Sequence, residues 1–122
     1  MKIVVASSDP YLSGVLCCSL SGLGAVVEPV ANEEEFCRMC PGGRCEVAVT
    51  LFLAPFLNGF DLGRRLRESV LRPPALFVLS WLHDEQTVMS LYESGIDQYF
   101  TLPFSVARLR GKVATQLYSR GL

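Results

Sequence analysis

No apolar run in this 122-residue chain reaches the roughly 20 residues that a membrane-spanning helix needs. Neither sign of charge dominates: 11 Lys and Arg stand against 12 Asp and Glu, a formal net charge of −1. Nucleic-acid-binding domains ordinarily carry a basic face, so this segment is not expected to contact DNA or RNA directly. Met1-Lys2 leads straight into Ile3-Val4-Val5-Ala6, which is too short for the apolar stretch of a secretory signal. These absences point to a cytoplasmic protein with no membrane partner. The chain also lacks a G-x-S-x-G elbow. Ser7, Ser80, Asp9 and His83, the one histidine, are therefore poor candidates for acyl transfer.

What is present is apolar. Half the residues are hydrophobic, enough for one domain spanning 1–122 to bury a core without metal or disulfide staples. The five cysteines are Cys17, Cys18, Cys37, Cys40 and Cys45, an odd number. Reduced thiols are the expected state in a cytosolic protein. Cys37-Arg38-Met39-Cys40, with Cys45 nearby, has the spacing of a redox pair or half a zinc site. No second C-x-x-C or histidine pair completes four ligands, so no metal is expected.

Short apolar runs alternate with amphipathic stretches. Ile3–Ala6, Ala25–Val30, Val47–Phe52, Leu76–Ser80 and Gln98–Phe100 read as strands. Asp9-Pro10 opens a helix with an N-cap and a proline at its first position, and Leu12, Val15, Leu16 and Leu20 mark its inner face. Asn32 and Glu35 form a capping box for a short helix to about Cys40. Leu62 and Leu66 face inward on a third helix, with Arg64, Arg65 and Arg67 outward. Asp84 caps a fourth that carries Val88, Leu91 and Tyr92 and stops at Gly95. Ser105 caps a fifth with Val106, Leu109, Val113 and Leu117 along one stripe. The pattern is (βα)5. It predicts a parallel α/β sheet of flavodoxin-like order 2-1-3-4-5 with helices on both faces and any site at the carboxyl ends of the strands.

Several segments go beyond pattern. Val5-Ala6-Ser7-Ser8-Asp9-Pro10 opens the chain. Leu51-Phe52-Leu53-Ala54-Pro55 is followed by Asn58-Gly59-Phe60-Asp61-Leu62. Phe77-Val78-Leu79-Ser80 ends a strand in a hydroxyl. Gly95-Ile96-Asp97-Gln98-Tyr99-Phe100-Thr101-Leu102-Pro103-Phe104 closes the set. In this order they resemble the receiver domains of two-component response regulators, across the whole chain. The resemblance implies that the family's acidic pair falls on Ser7 and Ser8 and the phosphoacceptor aspartate on Leu51. The phosphate-contacting hydroxyl falls on Ser80, the lysine on Leu102 and the switch aromatic on Tyr99. Pro103, after the lysine position, is expected to be cis.

Phosphoryl transfer onto a carboxylate needs a nucleophile, a Mg²⁺ held by carboxylates and a nearby cation. Leu51, the serines and Leu102 remove all three, so no catalytic residue and no cofactor are expected. Leu51 and Leu102 are expected to meet as a hydrophobic plug, with Trp81 covering or filling the pocket. Burying two leucines is worth about 3–6 kcal/mol. The leading expectation is a pseudo-receiver: not an enzyme, not phosphorylated in the usual way, and acting through protein contacts. It would serve as the N-terminal regulatory part of a transcription regulator. A homodimer is expected through the face of the fourth helix, fifth strand and fifth helix, bearing Glu93, Asp97, Arg108, Arg110 and Lys112. The alternative is a pseudo-receiver that senses a small ligand or redox state.

Overall fold

The structure is a computed structural model that describes residues 1–39, 45–51 and 73–122, with the side chains of residues 33 and 37 excepted. The expected third helix, with Pro55, Gly59, Asp61 and its three arginines, lies outside the described residues. So do Cys40 and the Cys37 side chain, and with them the C-x-x-C reading.

Five strands alternate with helices. They are β1 (Lys2–Ala6), α1 (Pro10–Ser19), β2 (Val26–Val30), α2 (Glu33–Met39), β3 (Val47–Leu51), β4 (Ala75–Ser80), α3 (Glu85–Ser94), β5 (Gln98–Thr101) and α4 (Val106–Ser119). All pairings are parallel, in the order β2-β1-β3-β4-β5. This is the flavodoxin-like arrangement expected from the alternation.

β3 and β4 are buried at every position, which explains their unbroken apolar runs: both faces of the central sheet are covered. One face packs Leu16 and Leu20 from the α1 region and Leu109, Val113 and Leu117 of α4 against Ile3, Val5, Val47, Val49 and Phe77. The other packs Phe36 of α2 and Leu91 of α3 against Val4, Ala48, Leu76 and Val78. The strand period of two sends successive residues to these two cores.

Local signals set the helix ends. Asp9 accepts from Tyr11 N and Leu12 N. Asp84 accepts from Thr87 N, and Ser105 Oγ from Arg108 N. The α2 box closes as Glu35 N donates to Asn32 Oδ1 while the Glu35 carboxylate accepts from Ala31 N. Gly95 ends α3 in the left-handed region at φ 114°, where a Cβ would be strained. Two inner-face expectations need correction. Val15 and Val106 are exposed. On α1, Ser13 is buried in place of Val15 and hydrogen-bonds Cys17.

Candidate functional site

The sheet brings the expected positions together at its carboxyl edge. Ala6 pairs with Thr50, so Ser7 and Leu51 stand at the same level on adjacent strands. Leu51 pairs with Leu79, and Ser80 with Thr101. Leu102 N then donates to Ser80 O at 2.9 Å, holding the start of the last loop beside β4. The Leu102–Pro103 peptide bond is cis, as expected.

Leu51 is 2% exposed and Leu102 8%. Both belong to one buried cluster with Leu79, Phe100 and Leu109. Phe100 extends this cluster outward: its ring stacks with Phe77 at 6.1 Å and lies 5.4 Å under the Arg108 guanidinium.

The hydroxyl groups at this edge serve local turns. Ser7 Oγ accepts from Asp9 N at 3.0 Å and lies 3.3 Å from Asp9 O, so it closes its own bend. Ser8 is exposed. Asp9, the nearest carboxylate in sequence, is committed to the α1 N-terminus. Mg²⁺ takes hard, usually anionic oxygen ligands. A buried leucine and two serines, one already engaged, do not fit it.

Ser80 is buried and its Oγ accepts from Leu82 N at 3.2 Å. Tyr99 is also buried, and its phenol donates to Leu82 O. The Tyr99 amide in turn donates to the Tyr92 hydroxyl at 3.1 Å. Both backbone polar groups of Leu82 are thereby held from inside the domain. Sequence reading named Ser80 and Tyr99 but missed Leu82, and it placed Tyr92 on its helix without its bond to the Tyr99 amide; no local pattern marks the seventeen-residue contact from Tyr99 to Leu82.

Trp81 departs from one part of the expectation: it is 60% exposed, so its indole does not fill the buried edge. The expected pairing surface is also redrawn. Glu93, Arg108 and Lys112 are exposed. Arg110 instead reaches α1, donating from Nη1 to Ser19 O at 2.8 Å and Ser21 O at 2.6 Å. Asp97 exchanges bonds with Leu76: its carboxylate accepts from Leu76 N, and its amide donates to Leu76 O, both at 2.8 Å. Those two charges work within the fold.

Among the described thiols, Cys45 is buried and Cys18 exposed. Burial pushes the Cys17 thiol up from its ordinary pKa, with the Ser13 hydrogen bond opposing. Among the described residues, no three His, Cys, Asp or Glu side chains converge as metal ligands would. Nor is any helix among them long and apolar enough to cross a membrane.

A five-stranded sheet of this order, with the expected positions gathered at its carboxyl edge, is the flavodoxin-like fold that solved receiver domains share. The curated proteins it is similar to in sequence carry the names of transcriptional regulators. "Transcriptional regulatory protein TrcR" of Mycobacterium tuberculosis is 30% identical over 115 residues, 91% of this chain and 44% of that protein. "Transcriptional regulatory protein TcrA" of the same organism is 27% identical over 114 residues, 90% of this chain and 45% of that protein. The receiver domain of the Francisella response regulator 1452 superposes with a TM-score of 0.85 at 24% identity, covering 99% and 98% of the two chains. The structural neighbour shares the fold, and the sequence relatives share the pattern over about nine tenths of this chain. No family model matches. The chain spans about half the length of the curated relatives it matches.

Proposed function

We propose that residues 1–122 form a receiver domain that signals without aspartyl phosphorylation. The observation that carries this reading is the burial of Leu51 and Leu102 in one apolar cluster at the positions where the acceptor and the lysine are expected. Without a carboxylate there is no group to take the phosphoryl, and without a cation its charge has no counterpart. The Ser80–Leu82–Tyr99 bonds supply from within the domain the order that phosphate would impose on this loop.

The domain then acts through protein contacts in the cytoplasm, as the regulatory part of a transcription regulator. The names of its relatives and its share of their length favour this role. Its contact surface is the α3–β5–α4 face, where Glu93, Arg108 and Lys112 offer charges of both signs for an isologous homodimer.

Incubation with acetyl phosphate and Mg²⁺, followed by intact mass measurement, tests the central claim. The expected result is an unmodified mass, with no change in melting temperature on adding beryllofluoride. A hydroxylamine-labile phosphoryl adduct would overturn it.

A further inference from the structure

A cavity of about 520 Å³ opens between α1 and the corner where β2 passes into α2. It is lined by Gly14 and Cys17 of α1, by Val27, Pro29 and Val30 of β2, and by Glu35 of α2. A smaller one of about 260 Å³ shares Pro29, Val30 and Glu35 with it. Pockets of this size with mostly apolar walls and few polar groups are the usual form of small-molecule sites.

Gly14 stands in the interior of α1, where glycine weakens a helix relative to alanine. Its φ is not positive, so the backbone does not require glycine. A Cβ placed there would meet nothing within 4 Å, so packing does not require it either. The missing side chain leaves the helix backbone bare toward the cavity, which is what close approach by a further molecule needs.

Glu35 supplies the one formal charge among the lining residues. Its carboxylate accepts a single backbone hydrogen bond, from Ala31 N, and has no ion-pair partner among the described residues. The Cys17 thiol, partly buried on the same lining, has its pKa raised by desolvation and adds no charge there. The cavity thus joins an apolar wall to one carboxylate that has no described ion-pair partner, with Arg38 lining the smaller cavity next to it.

We propose that this cavity binds a small organic cation, with an apolar body against Gly14 and a protonated amine on Glu35. The cavity takes in Ser7 and Ser8, two of the positions discussed above, as neutral hydroxyls, but neither Leu51 nor Leu102.

The test titrates 2-phenylethylammonium into ¹⁵N-labelled protein, with 3-phenylpropanoate as the matched anion. The expected result is saturable shifts at the amides of Gly14, Cys17 and Ala31, with the anion at least about tenfold weaker. Gly14→Leu fills the space and abolishes the response, while Gly14→Ala retains it. Glu35→Gln keeps a carbonyl oxygen for the Ala31 amide and erases the preference for the cation. Thermal melts of each variant verify folding, and both Gly14 replacements are expected to melt higher than the parent. Absence of saturable shifts, equal affinity for the two probes, or an undiminished response in Gly14→Leu would each overturn the proposal.

Discussion

The phenol of Tyr99 donates to the carbonyl of Leu82, seventeen residues earlier in the chain. The amide of the same Leu82 donates to Ser80 Oγ. A strand-end hydroxyl and an aromatic from the next strand therefore share one backbone unit, residue Leu82, as their common partner.

Removing the phenol tests how firmly that unit is held. Tyr99→Phe keeps the ring and its packing but loses the donor. Leu82 is partly exposed, so water can replace the lost partner. The expected loss is about 0.5–1.5 kcal/mol, read by chemical denaturation. Amide exchange at Leu82 should quicken. Ser80→Ala removes the other anchor, and because both act on the backbone of one residue the double variant should depart from additivity. Strict additivity, with unchanged exchange at Leu82, would show that the two bonds do not cooperate.

Restoring the acceptor alone should fail. Leu51→Asp places a carboxylate in a cluster whose described members are all apolar. Burying an unpaired charge is costly, so the carboxyl should stay protonated well above the usual carboxylate range. Leu51→Ala, which only removes apolar atoms, is expected to cost about 2–5 kcal/mol. Leu51→Asp should cost at least as much and gain no reactivity toward acetyl phosphate. Reactivity is expected only when Ser7→Asp, Ser8→Asp and Leu102→Lys accompany it, as intact mass would show.

Much of this architecture was legible in the chain. β3 and β4 are covered on both faces, and a doubly covered strand has to be apolar throughout; that is why Val47–Leu51 and Ala75–Ser80 could be placed. Asp9, Asp84 and Ser105 act within three residues of themselves, so their roles could be read locally. Trp81 could not be read this way: its exposure depends on how the segment after β4 is held, and Tyr99, a residue of another strand, bonds the adjacent Leu82. Arg110 looked like a surface charge on the last helix, yet its partners lie 89 and 91 residues away. Helical periodicity likewise placed Val15 inside, because it cannot register that Ser13 satisfies its hydroxyl within the core.

Asp84 gives the α3 N-terminus a pH dependence of known sign. Hydrogen bonds from the Thr87 side chain and then its backbone hold the Asp84 carboxyl below its ordinary value. A carboxyl depressed in the folded state contributes stability that is present above its unfolded pKa and lost as pH falls through the folded one. The loss therefore lies below about pH 4. Asp84→Asn retains a capping oxygen but cannot titrate. The melting temperatures of the two proteins should diverge least at low pH, with the parent gaining on the variant as pH rises. Parallel curves from pH 2.5 to 6, an interval chosen to span the carboxylate range, would remove Asp84 from the account.

The arginines of α4 should separate structure from association. Arg110 satisfies two carbonyls at and just past the end of α1, a position where exposed C=O groups and the negative pole of the helix favour a cation. Arg110→Ala is expected to cost about 1–2 kcal/mol, since bonds from a charged donor exceed neutral ones but this group is partly solvated. It should leave the oligomeric state unchanged, because its charge faces α1. Lys112 is exposed on the same helix and makes no described ion pair. Lys112→Glu should barely alter stability, as surface substitutions generally do. In an isologous dimer, however, it brings two like charges to the interface, one from each copy. Sedimentation across protein concentration and salt distinguishes the cases. Lys112→Glu should weaken self-association, and added salt should partly relieve the repulsion. If Arg110→Ala dissociates the dimer while Lys112→Glu does not, the contact lies on the α1–α4 side of the domain rather than the α3–β5–α4 face.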